Sequence, residues 1–180
     1  MFGKMLETLK EIAPSTVRVA FISNPDNPNI VVFRRMFETS AVSLAIEPII
    51  VAIRGVAEIE RAVANLVDRP NVGLFFPPDI TISALRKEII TIVGRHRLPA
   101  IYSDPIFPKI GGLAFYGADR IDIFRRAASY VDRILRGEKP SELPFQQPTK
   151  YQLSLNLSAA KTIGLEIPLP LLARADEVIE

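Results

Sequence analysis

The chain has 180 residues, 48% of them hydrophobic and 23% charged, with a mean hydropathy of +0.22; this is material for a packed domain and excludes a disordered chain. Its 22 basic and 20 acidic residues leave a formal charge of +2, which gives no electrostatic reason to expect nucleic acid or an anionic membrane as partner. Cysteine is absent, so disulfides, thiolate metal sites and cysteine nucleophiles are excluded.

Met5, Leu6, Leu9 and Ile12 recur at helical spacing, and Pro14 ends that helix. Glu7 and Glu11 within it argue against a signal peptide. No apolar run reaches the roughly 18 residues of a membrane span. Residues 17–22 (VRVAFI) are an apolar, β-branched run suited to a strand buried on both faces. Asn27 followed by Pro28 reads as a helix start, and Ile30, Phe33 and Phe37 mark one face of that helix. The unit then repeats. Residues 48–53 (PIIVAI) form a second strand, and Gly55 opens a helix carrying Ile59, Ala62, Val63 and Leu66. Residues 72–76 form a third strand, ending in Pro77-Pro78-Asp79, and Thr81 or Ser83 caps a helix with Leu85, Ile89 and Ile92. Residues 100–102 and 113–116 form a fourth and a fifth strand, with a polar, proline-rich bend between them that leaves no room for a helix.

This alternation predicts an α/β fold: a Rossmann-like parallel five-stranded sheet with helices on both faces. The remainder changes character. Residues 119–137 read as one long helix with Ile123, Phe124, Ala127, Val131 and Ile134 facing inward and Gly137 as its stop. Pro140, Pro144 and Pro148 mark an extended connector over 140–149. Residues 151–157 (YQLSLNL) alternate and suit an edge strand. Ser158 starts a short helix that Gly164 ends, and residues 168–172 lead into a charged terminus.

In an open parallel sheet, ligands bind outside the carboxyl ends of the strands. Asn24, Asp79 and Asp104 follow three of the strands and fall on that edge, near Tyr102 and Tyr116. A carboxylate accepts from an ammonium group, Asn donates and accepts, and a tyrosine ring covers an apolar ligand body. Residue by residue, the same side chains also suit turns and helix caps, and Asp26 beside Asn27 suits a cap. His96, the only histidine, falls between Arg95 and Arg97 in the last turn of a helix, where a cation suits the dipole. Arg125, Arg126, Arg133 and Arg136 read as a solvated helix face. Gly111-Gly112 lacks the G-x-G-x-x-G spacing, and no P-loop, G-x-S-x-G or H-E-x-x-H is present. No cofactor or metal is expected, and no nucleophile is paired with a base, so the chain reads as no enzyme.

Residues 112–119 (GLAFYGAD) and the tail "LPFQQPTKYQLSLNLSAAKTIGL" resemble the C-terminal part of ABC-transporter substrate-binding proteins of the tryptophan/tyrosine-uptake type. The likeness continues upstream through "MLETLKEIAPSTVRVAFISNPDNP" and "GLFFPPDIT". It implies one lobe of a type I periplasmic binding protein, in which a small solute, often an amino acid, is clamped between two Rossmann-like lobes and passed to an ABC permease. On this reading residues 1–16 are the helix leading out of a missing first lobe, and 17–117 are the ligand-binding lobe. Residues 118–180 are a tail that packs on the first lobe. The bend over 103–110 lines the cleft, and 113–116 return across the hinge. Asn24, Asp79, Asp104 and Tyr116 carry over as ligand-binding positions, and Tyr102, Phe107 and Tyr116 suit an aromatic or branched amino acid. The resemblance places the protein outside the cytoplasm. A chain complete without a signal peptide would be cytoplasmic. A lone lobe implies a homodimer through exposed lobe surface or a swapped tail. The alternative is a cytoplasmic ligand-sensing or regulatory α/β domain. Against it, Ser23-Asn24-Pro25 lacks the acidic pair of a phosphoreceiver, and no helix-turn-helix segment is present.

Overall fold

The computed structural model describes all 180 residues. Helix α1 (Phe2–Ile12) buries Phe2, Met5, Leu6, Leu9 and Ile12, a stripe at helical spacing. Five βα units follow: β1 (Arg18–Ser23), α2 (Ile30–Ser43), β2 (Glu47–Ala52), α3 (Val56–Val67), β3 (Val72–Phe76), α4 (Ile80–Ala84), α5 (Arg86–His96), β4 (Ala100–Tyr102), α6 (Ile106–Lys109), β5 (Ala114–Ala118) and α7 (Arg120–Leu135). After a proline-rich connector come β6 (Tyr151–Asn156), α8 (Leu157–Thr162), α9 (Leu169–Leu172) and β7 (Glu177–Ile179).

The strands form one seven-stranded sheet in the order β2-β1-β3-β4-β5-β6-β7. Strands β1 to β5 are mutually parallel, as expected, while β6 runs antiparallel to β5 and β7 parallel to β6. The sheet is therefore two strands wider than the sequence predicts. Strand β6 is interior over its second half, where β7 pairs with Ser154, Leu155 and Asn156. The Asp176 carboxylate pins that strand by accepting from the Leu153 N–H at 2.8 Å.

Two apolar cores flank the sheet, and successive residues of one strand feed opposite cores, the period-two pattern of a pleated strand. Val19, Phe21, Phe75 and Ile101 pack with α1, Phe37 and Ala41 of α2, Ala160 of α8 and Leu171 of α9. Ala20, Ile22, Leu74, Phe76 and Tyr102 pack with Ile59 and Val63 of α3, Ile89 of α5 and Phe107 of α6. The first core is centred on aromatic pairs: Phe75 lies 5.1 Å from both Phe2 and Phe37, centroid to centroid. Thus α1 and residues 151–172 share one core with the sheet.

Two further expectations change. The segment between β4 and β5 does hold a helical turn, α6, which Asp104 initiates by accepting from the Ile106 N–H at 3.1 Å. Strand β5 lies parallel beside β4, with Tyr102 opposite Phe115, so the segment is a complete if very short crossover. Helix α7, by contrast, does not turn its apolar side chains inward. Of its residues only Asp122 is buried, and Phe124 and Leu135 are 75% and 81% exposed. It leaves the end of β5 and meets the connector over 140–148, with which it shares a groove lined by Ile123, Tyr130 and Phe145. No helix is long and apolar enough to cross a membrane.

Candidate ligand-binding site

The residues that follow β1, β3 and β4 meet at one edge of the sheet and enclose an open cavity of about 530 Å³. The first turns of α2 and α7 complete its wall, contributing Phe33 and Arg120. This is where a parallel sheet places its ligands, since successive loops diverge there and leave a crevice.

The floor is a closed hydrogen-bond network around Asp79. Its Oδ1 accepts from the N–H groups of Thr81 and Ile82 at 2.8 and 3.2 Å, which caps α4. Its Oδ2 accepts from the Asn24 N–H at 3.3 Å and the Asn27 Nδ2 at 2.9 Å. Asn24 is equally committed: its Nδ2 donates to Thr81 Oγ1 at 2.8 Å, and its Oδ1 accepts from the Asp26 N–H at 2.9 Å. Asn27 also donates to the Pro78 carbonyl at 3.2 Å, and its Oδ1 accepts from the Asn29 N–H at 3.0 Å. Helix α2 accordingly begins at Ile30, two residues later than Pro28 suggests. These three side chains tie the loop after β1 to the loop after β3 and shape the cavity from beneath. At the rim, Asp26 is not a cap; it holds Arg54 through both carboxylate oxygens at 2.9 and 3.3 Å.

The less saturated side of the cavity lies elsewhere. Asp104 follows β4, and its Oδ2 sits 3.4 Å from both Ser83 Oγ and an Arg120 guanidinium nitrogen. Both separations are long for hydrogen bonds, so neither saturates that oxygen. The Asp104 side chain is 18% exposed and that of Arg120 57%. Ser103 and Asn29 complete this side, and Ile80 and Phe33 add apolar surface. The arrangement offers an anion and a cation next to one another, hydroxyl and amide groups around them, and a nonpolar flank. No group of three or more His, Asp or Glu side chains able to hold a metal is present.

Of the sequence-derived candidates, Asn24, Asp79 and Asp104 come together in this cavity. Tyr102 and Tyr116 do not line it. Tyr102 is 1% exposed, its ring stacked between Phe76 and Phe107 at 4.9 and 4.2 Å, and its burial pushes the phenol above its ordinary value. Its side chain belongs to the core because a strand residue at that position points at α5 and α6, not along the strand end. Tyr116 lies against the other face, stacked on Tyr151 at 5.7 Å and half-buried beside α1; burial raises its phenol as well. Phe107 is likewise buried. Arg120 escaped sequence reading, although the rule that found the others would have found it: it follows β5 as Asp79 follows β3. His96 ends α5, as expected. Among the arginines read as a solvated face, Arg126 pairs with Asp122, Arg133 with Glu138 and Arg136 with Asp132.

Over residues 2–179 the sequence matches the family described as ABC transporter substrate binding protein. No curated protein matches it. Three solved structures share its fold closely. A conserved domain protein from Vibrio cholerae superposes with a TM-score of 0.88 at 24% identity, over 98% of this chain and 60% of that one. An ABC domain from Streptococcus pneumonia in complex with L-Trp gives 0.86 at 20% identity, over 99% and 62%. A substrate binding protein with adhesive properties from Clostridium difficile, in its ligand-free, open form, gives 0.77 at 21% identity, over 98% and 59%. The chain spans about three fifths of the length of each of these proteins.

Proposed function

This chain belongs to the ABC transporter substrate binding protein family, and from that premise we propose that the cavity at the strand ends is one wall of a site for an amino acid with an apolar side chain. The observation that carries this reading is the Asp104–Arg120 pair. A zwitterion presents an ammonium and a carboxylate a few bonds apart, and a neighbouring carboxylate and guanidinium receive both. Phe33 and Ile80 supply a flank for the side chain, and the L-Trp complex of the streptococcal relative supports an aromatic one. Capture requires no chemistry: the solute is held and released, and delivery to an ABC permease outside the cytoplasm follows from the family. Because the cavity is open, ligand contact with this wall alone gives weak binding, and a facing surface would raise affinity by covering the rest of the ligand. The exposed apolar side chains of α7 give such a facing body, or a second copy of the chain, a place to pack.

The reading is tested by native mass spectrometry of the chain with L-tryptophan and with its methyl ester, which keeps the ammonium and lacks the carboxylate. L-Tryptophan should form a one-to-one adduct weakened about tenfold or more by either Asp104→Asn or Arg120→Gln. The ester should respond to Asp104→Asn and be indifferent to Arg120→Gln. L-Tryptophan adducts as abundant in both variants as in wild type, or none with any amino acid, would remove the assignment.

A further inference from the structure

Arg120, the cation of the proposed amino-acid wall, is the first residue of α7, and α7 has no apolar footing in the protein. Neither core contains any of its side chains, and Phe124 and Leu135 stand exposed. Its direction is set instead by polar contacts at its base. Asp119 caps the helix by accepting from the N–H groups of Ile121 and Asp122 at 2.9 and 3.1 Å, and its own N–H donates to the Lys150 carbonyl at 3.0 Å. The Asp122 side chain is only 9% exposed, and its two oxygens meet two different cations. Oδ2 lies 2.8 Å from Arg126 Nε and Oδ1 3.3 Å from Lys150 Nζ. Arg126 in turn donates to the Thr149 hydroxyl. A carboxylate this buried is tolerated only while it is paired, so the cluster resists being pulled apart. Thr149 and Lys150 lead directly into β6, and the network thereby ties the first turn of α7 to the sheet.

Given the amino-acid reading of that wall, we propose that Asp122 is a positioning residue for it. Asp122 docks one side of the first turn of α7 on residues 149–150, and the other side carries Arg120 to Asp104. Two positions along a helix amount to about 200° of rotation, so Asp122 and Arg120 project to nearly opposite sides. Arg120 is itself 57% exposed and meets Asp104 at 3.4 Å, a contact too long to fix a flexible side chain. Its aim therefore depends on where the start of the helix is held. Asp122 does not line the cavity and does not touch the ligand. Arg126 and Lys150 occupy its two oxygens, which leaves Arg120 to Asp104.

The test compares wild type, Asp122→Asn and Lys150→Gln. L-Tryptophan and its methyl ester are the probes, and the Arg120 Nε–H resonance of the isotope-labelled chain is a readout that needs no ligand. Asp122→Asn should weaken L-tryptophan about five- to tenfold and leave the ester, which offers Arg120 no carboxylate, within about twofold of wild type. In an Arg120→Gln background the same substitution should change tryptophan binding less than about twofold, since the contact it positions is already gone. Lys150→Gln replaces a side chain that is 61% exposed, so it keeps the fold, and it should act in the same direction. The Arg120 resonance should move in both variants while that of Arg54, held by Asp26, stays in place. A loss of misfolded origin would weaken tryptophan and ester alike. Equal losses for the two probes, additive losses in the double variant, or an Arg120 resonance unmoved in both variants would overturn the role of Asp122. If wild type binds no tryptophan and the Arg120 resonance still moves, the amino-acid reading fails and the positioning stands.

Discussion

Asp79 joins two loops with four hydrogen bonds on one carboxylate, and this makes it the side chain on which the cavity depends structurally. Replacing it with Ala should cost about 2–3 kcal/mol, because a helix cap is lost and buried donors are left unmet; a shift in the urea midpoint at constant slope would register it. Tyr102 makes a different prediction. Burial raises its phenol above the ordinary 10.0, so the folded chain keeps a proton that the unfolded chain releases. That contribution is intact below pH 10 and is lost as the pH rises above it, by up to about 1.4 kcal/mol per pH unit. Urea unfolding between pH 9 and 11 should therefore decline more steeply for wild type than for Tyr102→Phe. Parallel curves would mean that the phenol ionises freely in the folded state. At this scale the sequence locates residues better than roles. That Asn24, Asp79 and Asp104 share an edge follows from what trails each strand, but their partners come from loops distant in sequence. Asn24 and Asp79 spend their capacity on each other's loops, whereas the Asp104 Oδ2 has only the two 3.4 Å neighbours, Ser83 and Arg120.

The link from β4 to β5 shows how an element can hide from sequence reading. Its four-residue helix has no periodicity to detect, and the Ser103-Asp104-Pro105 start reads as a bend because the Asp104 carboxylate accepts from the N–H of Ile106 two residues on, as in a turn. What fixes the link is close packing. Phe107 stacks on Tyr102, Gly111 turns with φ at +106°, and a Cβ on Gly112 would lie 2.9 Å from the Phe107 carbonyl oxygen. Gly112→Ala should thus destabilise by about 1–3 kcal/mol through overpacking, read as a lowered thermal midpoint. The long parallel strands were legible because each is an apolar run bounded by turn residues. The terminal strand β7 was not, since three residues in a charged segment carry no pattern, and its pairing with β6 depends on Asp176 and Leu153 meeting in space. Helix α7 was legible as a helix and misleading as to its surroundings, because amphipathic spacing reveals an apolar face without revealing what covers it. Phe124→Ser on that face should leave the thermal midpoint within about 1 °C of wild type, as exposed side chains away from the core have small effects. A large drop would place α7 against the core.

At the scale of the molecule, one sheet separates two cores and borders two cavities of different character. The charged and polar one opens where the loops after the parallel strands diverge; the one without charged lining lies between α5, the turn before β5 and α8. The first, with Asp104 and Arg120 side by side, is the one proposed for a zwitterionic solute. The most direct measurement is an amide chemical-shift titration of the labelled chain with L-tryptophan. Concentration-dependent shifts are expected at Ser83, Ser103, Asp104 and Arg120, with Leu155 and Ala160 in the core unmoved. Shifts confined to the groove between α7 and residues 140–148, or none in a chain that remains folded, would contradict it.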